Sequence, residues 1–246
     1  MLTLIPDENI HWSPEPDIIV RARRFSTFLL KTLRDPHGFH GFATRRADQF
    51  IPGDFIFNFL SPTELDTVNR FKSLKKQVEW MAGRHLVKEM VCASAPKGTN
   101  PWDITISYRD QGAPFLPRYP GVQISITHSG DYAAVALCHN KNKTMGLDLE
   151  EIGPVPDAGF MKLAFTKAER EYMGNDPMKI FRSWTLKEAF LKYIKKGFNE
   201  SLHQVEILHD DILYKGTKTR VKLFCATIGP GYSISLVTDE NHGPEI

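Results

Sequence analysis

The sequence predicts an α+β protein made of two similar halves, each with helices first and strands after, and with a cleft between them. Three observations lead there. Two capping boxes, Ser61-Pro62-Thr63-Glu64 and Thr166-Lys167-Ala168-Glu169, open helices at comparable places in the first and second parts of the chain. Each is followed at nearly the same interval by a tryptophan and then, one and two helical turns on, by charged residues: Trp80, Arg84 and Lys88, then Trp184, Glu188 and Lys192. Each long helix runs on into segments with strand character, and an ordered series of matches of this kind reads as duplication.

In the first half, Ser61 is an N-cap, Pro62 the first helical residue and Glu64 the third, so a short helix starts there. Behind Ser73, the residues Leu74, Val78, Met81, Ala82 and Leu86 recur at spacings of three and four, which describes a longer amphipathic helix towards Val91. Strands are expected over 103–108, 122–127 and 132–137. A hairpin with the polar turn His139 to Lys143 leads to a strand over 144–150, dividing the chain into halves 1–142 and 143–246. In the second half, Asp176-Pro177 starts a long helix ending near Gly197, followed by strands over 205–208, 220–226 and 232–237.

With 246 residues, 41% hydrophobic and 24% charged, the composition is that of a globular protein able to bury a core without disulfides. The 31 basic and 29 acidic residues leave a formal charge of +2, which lacks the broad positive field of a strong nucleic-acid binder. Cys92, Cys138 and Cys225 have neither CxxC nor Cys/His ligand spacing, arguing against a disulfide framework or a zinc site and for a reducing, cytoplasmic setting. The first twenty residues have no apolar run behind a basic start, so no secretory signal is expected. No apolar run approaches the roughly 20 residues of a membrane span.

The residues with chemical potential lie on three elements. In Met145-Gly146-Leu147-Asp148-Leu149-Glu150, alternation puts the apolar side chains on one strand face and both carboxylates together on the other. Two adjacent negative charges raise each other's pKa unless a cation neutralises them, and hard oxygen donors suit magnesium or manganese; the alternative is a half-exposed strand with a polar outer face. On the helix Trp184 to Lys195, Glu188 and Lys192 lie opposite an apolar stripe, either as a solvated pair or as a third carboxylate with a phosphate-contacting lysine. Ile124-Ser125-Ile126-Thr127-His128-Ser129-Gly130 ends a strand in hydroxyls, an imidazole and a glycine, which suits a phosphate corner or a structural turn.

Taken in order, Ser61-Pro62, Ala82-Gly83-Arg84, Gly112-Ala113-Pro114, Thr127-His128-Ser129-Gly130, Gly146-Leu147-Asp148-Leu149-Glu150, Phe165 and Trp184-Thr185-Leu186-Lys187-Glu188-Ala189-Phe190-Leu191-Lys192 resemble the larger, pseudo-dimeric Sfp-type 4′-phosphopantetheinyl transferases. The resemblance implies two α/β halves related by a pseudo-twofold axis, 1–142 on the coenzyme A side and 143–246 on the magnesium and catalytic side, in a chain acting as a monomer. It implies transfer of the phosphopantetheine arm from coenzyme A to a serine of an apo acyl or peptidyl carrier protein, with Mg2+ required. By similarity Asp148, Glu150 and Glu188 hold the metal, Glu188 is the base, and Lys192 contacts a phosphate. Thr127, His128, Gly112 and Lys75 belong to the coenzyme A site, and Lys162, Lys167 and Phe160 to the carrier-facing rim. Two features depart from the family: its Gly-Lys-Pro reads Gly112-Ala113-Pro114, and Glu64 and Thr67 stand where some members carry lysines. Two other functions remain open: a metal-dependent nuclease, and a coenzyme A- or carrier-binding module without turnover.

Overall fold

The computed structural model describes residues 3–5, 10–24, 59–197, 200–209, 211–229 and 231–240. The strands β1 (Thr3–Ile5), β2 (Ile10–Glu15) and β3 (Ile18–Arg24) come first, in a region where the sequence motifs are silent. The helices α1 (Pro62–Asn69) and α2 (Leu74–Ser94) follow, then the short β4 (Ser107–Tyr108) and β5 (Pro114–Phe115), and the long β6 (Gln123–Ser129), β7 (Tyr132–Cys138) and β8 (Met145–Glu151). Three helices, α3 (Ala158–Ala164), α4 (Lys167–Met173) and α5 (Pro177–Tyr193), precede β9 (Val205–Leu208), β10 (Asp211–Tyr214), β11 (Thr217–Lys218), β12 (Val221–Ile228) and β13 (Tyr232–Asp239). The architecture is mixed α+β, as expected. The strand expected over 103–108 shrinks to β4, because Asn100 caps a 3₁₀ turn at Pro101–Asp103 whose proline suits a turn start better than a ladder.

Two four-stranded sheets carry the fold, in the orders β2-β3-β7-β6 and β1-β12-β13-β8. The expected hairpin between β7 and β8 does not pair: β7 lies between β3 and β6, while β8 takes β13 as its partner. Every residue of β7 is buried, and with both its edges occupied the chain must change sheet across the turn at 139–144. β1 also crosses the expected 142/143 division, pairing in parallel with β12 of the later sheet.

Strand periodicity assigns each face. Ala133, Val135 and Leu137 face the α2 core with Val78, Met81 and Leu86, while Ala134 and Ala136 turn to the core between the sheets with Leu147, Leu149, Ile234 and Leu236. α5 covers the outer face of the second sheet through Leu186, Ala189 and Phe190 against Val237. Helix, sheet, sheet and helix therefore stack in four layers, and β6 meets β8 where the two sheets adjoin.

Both capping boxes form. Glu64 N donates to Ser61 Oγ at 3.4 Å and Ser61 N to Glu64 Oε2 at 2.9 Å; Glu169 N donates to Thr166 Oγ1 at 3.3 Å and Thr166 N to Glu169 Oε2 at 2.8 Å. Each capping glutamate also anchors a buried lysine from the next long helix. Lys88 Nζ donates to Glu64 Oε2 at 2.5 Å and to Phe59 O at 2.7 Å, and Lys187 Nζ to Glu169 Oε2 and Ala164 O, both at 2.8 Å. By contact the counterpart of Lys88 is thus Lys187, not Lys192 as the tryptophan-and-charge series suggests. Intervals along the chain do not decide which lysine can reach a carboxylate.

Neither side chain of the Lys187–Glu169 pair is exposed at all. Lys187→Ala leaves Glu169 buried without its counter-ion and is expected to cost about 3–5 kcal/mol, read from the urea midpoint; a loss below ~1 kcal/mol would show that the pair does not hold α4 and α5 together.

Candidate active site

The cleft has a volume of about 480 Å³ and draws its walls from both sheets, α2, α5 and the β4–β5 turn. Asp148, Glu150, Glu188 and Lys192 line it together with Thr127 and His128. Their convergence has local causes. Alternation along β8 turns Asp148 and Glu150 to the face that also carries Gly146, and a Cβ at Gly146 would run into Ala189 O and Tyr193 N of α5. A bare glycine thus lets the helix bearing Glu188 and Lys192 lie directly on the strand bearing the carboxylates.

β6 and β8 are joined through hydroxyls rather than a backbone ladder. Leu147 N donates to Ser125 Oγ at 2.9 Å, Thr127 Oγ1 donates to Asp148 Oδ1 at 2.9 Å, and Ser129 Oγ donates to Glu150 Oε2 at 2.6 Å and accepts from Glu151 N at 3.1 Å. Alternate residues of one strand thereby orient both carboxylates of the other. Lys192 Nζ reaches Asp148 Oδ1 at 2.7 Å and Leu147 O at 3.0 Å.

The electrostatics are those of crowded carboxylates. Burial, then repulsion from Asp148, pushes Glu150 up to about 7, against the opposing hydrogen bonds of Ser129 and Trp184. Glu188 is pushed up to about 8 by burial and by Asp148, with Lys192 opposing. Asp148 Oδ2 is buried and has no hydrogen-bond partner. The His128 side chain, 48% exposed, has Nδ1 3.8 Å from Glu79. Its pKa lies below the ordinary imidazole value because surrounding protein disfavours the charge, and Lys192 adds to this.

An orphaned buried carboxylate oxygen and two carboxylates held towards their protonated forms make a donor set of hard oxygens short of positive charge, which fits a divalent cation such as Mg2+. Among the described residues no three His, Cys, Asp or Glu side chains already converge as a ready ligand set.

Of the remaining expected residues, Gly112 lines the cleft in a turn, at φ +81°. Lys75 does not line it: that side chain pairs with Glu79 at 3.7 Å, and the neighbouring Lys76 lines the cleft instead. Arg84 is buried in the cleft wall, with its guanidinium carbon 3.2 Å from the Trp80 ring centroid and Nη2 donating to Tyr108 OH at 3.1 Å. The motifs do not single out Glu79, Lys76, Tyr108, Phe115 or Lys195 as lining residues, because membership of this wall comes from four separate elements.

This geometry coincides with the family match. Residues 144–234, which include β8 and α5, match the model of the 4′-phosphopantetheinyl transferase superfamily. Among individual proteins the chain is similar to the 4′-phosphopantetheinyl transferase HetI of Nostoc sp., 31% identical over 60% of this chain and 64% of that protein. It is also similar to the L-aminoadipate-semialdehyde dehydrogenase-phosphopantetheinyl transferase of Mus musculus, 29% identical over 60% of this chain and 52% of that protein. A third relative, the 4′-phosphopantetheinyl transferase of Bacillus subtilis, is 25% identical over 53% of this chain and 60% of that protein. The chain thus spans between about half and just under two thirds of the curated relatives named here. No helix among the described residues is long and apolar enough to cross a membrane.

Proposed function

We propose that this protein transfers the 4′-phosphopantetheine arm of coenzyme A to a serine of an apo carrier protein, with Mg2+ required and adenosine 3′,5′-bisphosphate released. The observation that carries this reading is the convergence of Asp148, Glu150, Glu188 and Lys192 on one cleft with the β6 hydroxyls, in a chain whose similar proteins are named phosphopantetheinyl transferases. In this reading Asp148, Glu150 and Glu188 hold Mg2+, which neutralises the charge of the diphosphate.

The acceptor serine oxygen attacks the diphosphate phosphorus that carries the pantetheine arm. The new P–O bond replaces the bond to the nucleotide 5′-phosphate, and the serine proton passes to Glu188, directly or through a water. Glu188 suits this because its carboxylate lines the cleft beside Asp148 and Lys192, within the same wall as the β6 hydroxyls. Lys192, steered by Asp148 Oδ1 and Leu147 O, offsets charge on the leaving phosphate. Thr127 and Ser129 fix the carboxylates, and His128, kept neutral at pH 7, serves as a hydrogen-bond partner for phosphate oxygens.

The same proposal includes a pseudo-twofold relation between 1–142 and 143–246 with a monomeric, cytoplasmic protein. The paired contacts of Lys88 with Glu64 and Lys187 with Glu169 support the relation, with β1 assigned to the second half by its partner β12. For the carrier, the exposed Lys162, Leu163 and Lys167 offer a basic and apolar rim, whereas Phe160 turns inward against Trp184 with ring centroids 5.1 Å apart.

The test is intact mass. Incubation with Mg2+, coenzyme A and a panel of apo carrier proteins is expected to add about 340 Da, the mass of the arm, to at least one carrier. Coenzyme A binding with no mass shift on any carrier would leave a binding module without turnover, and magnesium-dependent plasmid cleavage would point to a nuclease.

A further inference from the structure

Lys192 stands in the last turn of α5, where a helix is least secure. The final carbonyls of a helix have no partner within it, and the turn opens unless something outside the helix closes it. Here the backbone closes it in the manner of a glycine cap: Lys195 N donates to Lys192 O at 3.0 Å and Lys196 N to Leu191 O at 3.1 Å. The residue at the left-handed position is not glycine but Lys195, at φ +57°. A residue with a side chain keeps that conformation only where its surroundings over-determine it.

One source of that constraint is a carboxylate outside the cleft wall. Asp239, the last residue of β13, accepts from Tyr193 OH through Oδ1 at 2.7 Å and from Thr144 N through Oδ2 at 2.5 Å. Thr144 stands directly before β8, and Thr238 Oγ1 donates to its carbonyl at 2.9 Å, next to the ladder position where Thr238 pairs with Met145. A single side chain therefore joins the end of α5 to the start of the strand that carries Asp148 and Glu150.

The strand completes the hold. Gly146 leaves room for the backbone of α5 at Tyr193 to lie against β8. Neighbouring residues on a helix point about 100° apart, so Tyr193 and Lys192 leave the same turn in different directions. Tyr193 is held by Asp239, and Lys192 by Leu147 O and Asp148 Oδ1. One such bond leaves the turn free to rotate about it, and the second removes that freedom.

We infer that Asp239 is a positioning residue for Lys192: by holding Tyr193 at the start of β8, it fixes the last turn of α5 so that the Lys192 ammonium stays at Asp148. The consequence for transfer rests on the proposed role of Lys192 at the leaving phosphate, whereas the mechanical hold does not.

The test joins a double-mutant cycle on transfer with chemical labelling of lysines. Tyr193→Phe removes one hydroxyl and keeps the ring beside Phe190, with centroids 5.9 Å apart in the unaltered protein. It should lower kcat by about three- to tenfold with the carrier KM unchanged, and Asp239→Ala should lower it at least as far. In a Lys192→Ala background the same two changes should cost nothing more, because no ammonium is left to position. With an amine-reactive ester, read by peptide mass, Lys192 should label about threefold faster or more in either variant than in the unaltered protein, with the exposed Lys167 as internal standard. Equal losses of kcat in both backgrounds, or an unchanged rate of Lys192 labelling, would overturn the inference. Absence of transfer by the unaltered protein on every carrier would overturn the reading of Lys192 and with it the consequence for catalysis, while the labelling still decides whether Asp239 holds the side chain. If Asp239→Ala does not fold, Tyr193→Phe carries both measurements.

Discussion

Asp148→Ala and Glu188→Gln are each expected to reduce transfer by at least about 10²–10³-fold while the chain stays folded. Asp148 is the partner that holds Lys192 and Thr127, and its second oxygen is buried and unpartnered, so its loss removes a steering group and, in the proposed reading, a metal ligand. Glu188→Gln keeps size and removes only charge and basicity. Its effect on stability has a definite sign. A carboxyl raised from an ordinary value of 4.5 to about 8 holds its proton in the folded state where the unfolded chain has lost it. Stability therefore falls as pH rises through that window and levels off above pH 8. Without metal, Glu188→Gln should match the unaltered protein near pH 4.5 and exceed it in melting temperature at pH 8.5. If Glu188 and Glu150 hold Mg2+ as proposed, added Mg2+ should stabilise the unaltered protein more at pH 8 than at pH 6, because the ligands must shed protons, and this gain should shrink in the variant. Full activity in either variant would remove the assigned roles. A flat difference in melting temperature across pH would refute the electrostatic account of Glu188.

Gly146→Val is expected to be the most damaging substitution to the fold of the site. Its side chain would meet backbone atoms at Ala189 and Tyr193, which cannot rotate away as a flexible side chain can. Either α5 shifts from β8 or the helix distorts, and both separate Glu188 and Lys192 from Asp148. The expected cost is about 3 kcal/mol, which corresponds to roughly 6–12 °C in melting temperature for a chain of this size, with transfer lost even in the folded fraction. Gly121→Ala, where a Cβ would meet nothing within 4 Å, is the control. A Gly146→Val protein that melts within ~1 °C of the control would show that the close approach is not required.

Much of the secondary structure was legible in the sequence because its signals are local. Both capping boxes form as Ser61/Glu64 and Thr166/Glu169 imply, β9 has the expected bounds, and β8 turns Asp148 and Glu150 to one face. What failed depended on partners. The turn at 139–143 looks like a hairpin from either side, but β7 already has two neighbours. Lys75 and Lys76 are adjacent charges on one helix, and only the packing of α2 decides which lines the cleft.

By itself the sequence determined where helices begin and which strand face bears carboxylates, and its motifs from Ser61 to Lys192, taken in order, resemble those of one enzyme family. Those properties follow from hydrogen bonding within a turn and from side-chain periods along one element. Tertiary structure alone decided that β6 hydroxyls orient the β8 carboxylates and that Lys187 is a buried tie while Lys192 reaches Asp148. Ion pairing, burial and shifted pKa values belong to groups in pairs, and these pairs form only when segments far apart in the chain are packed together.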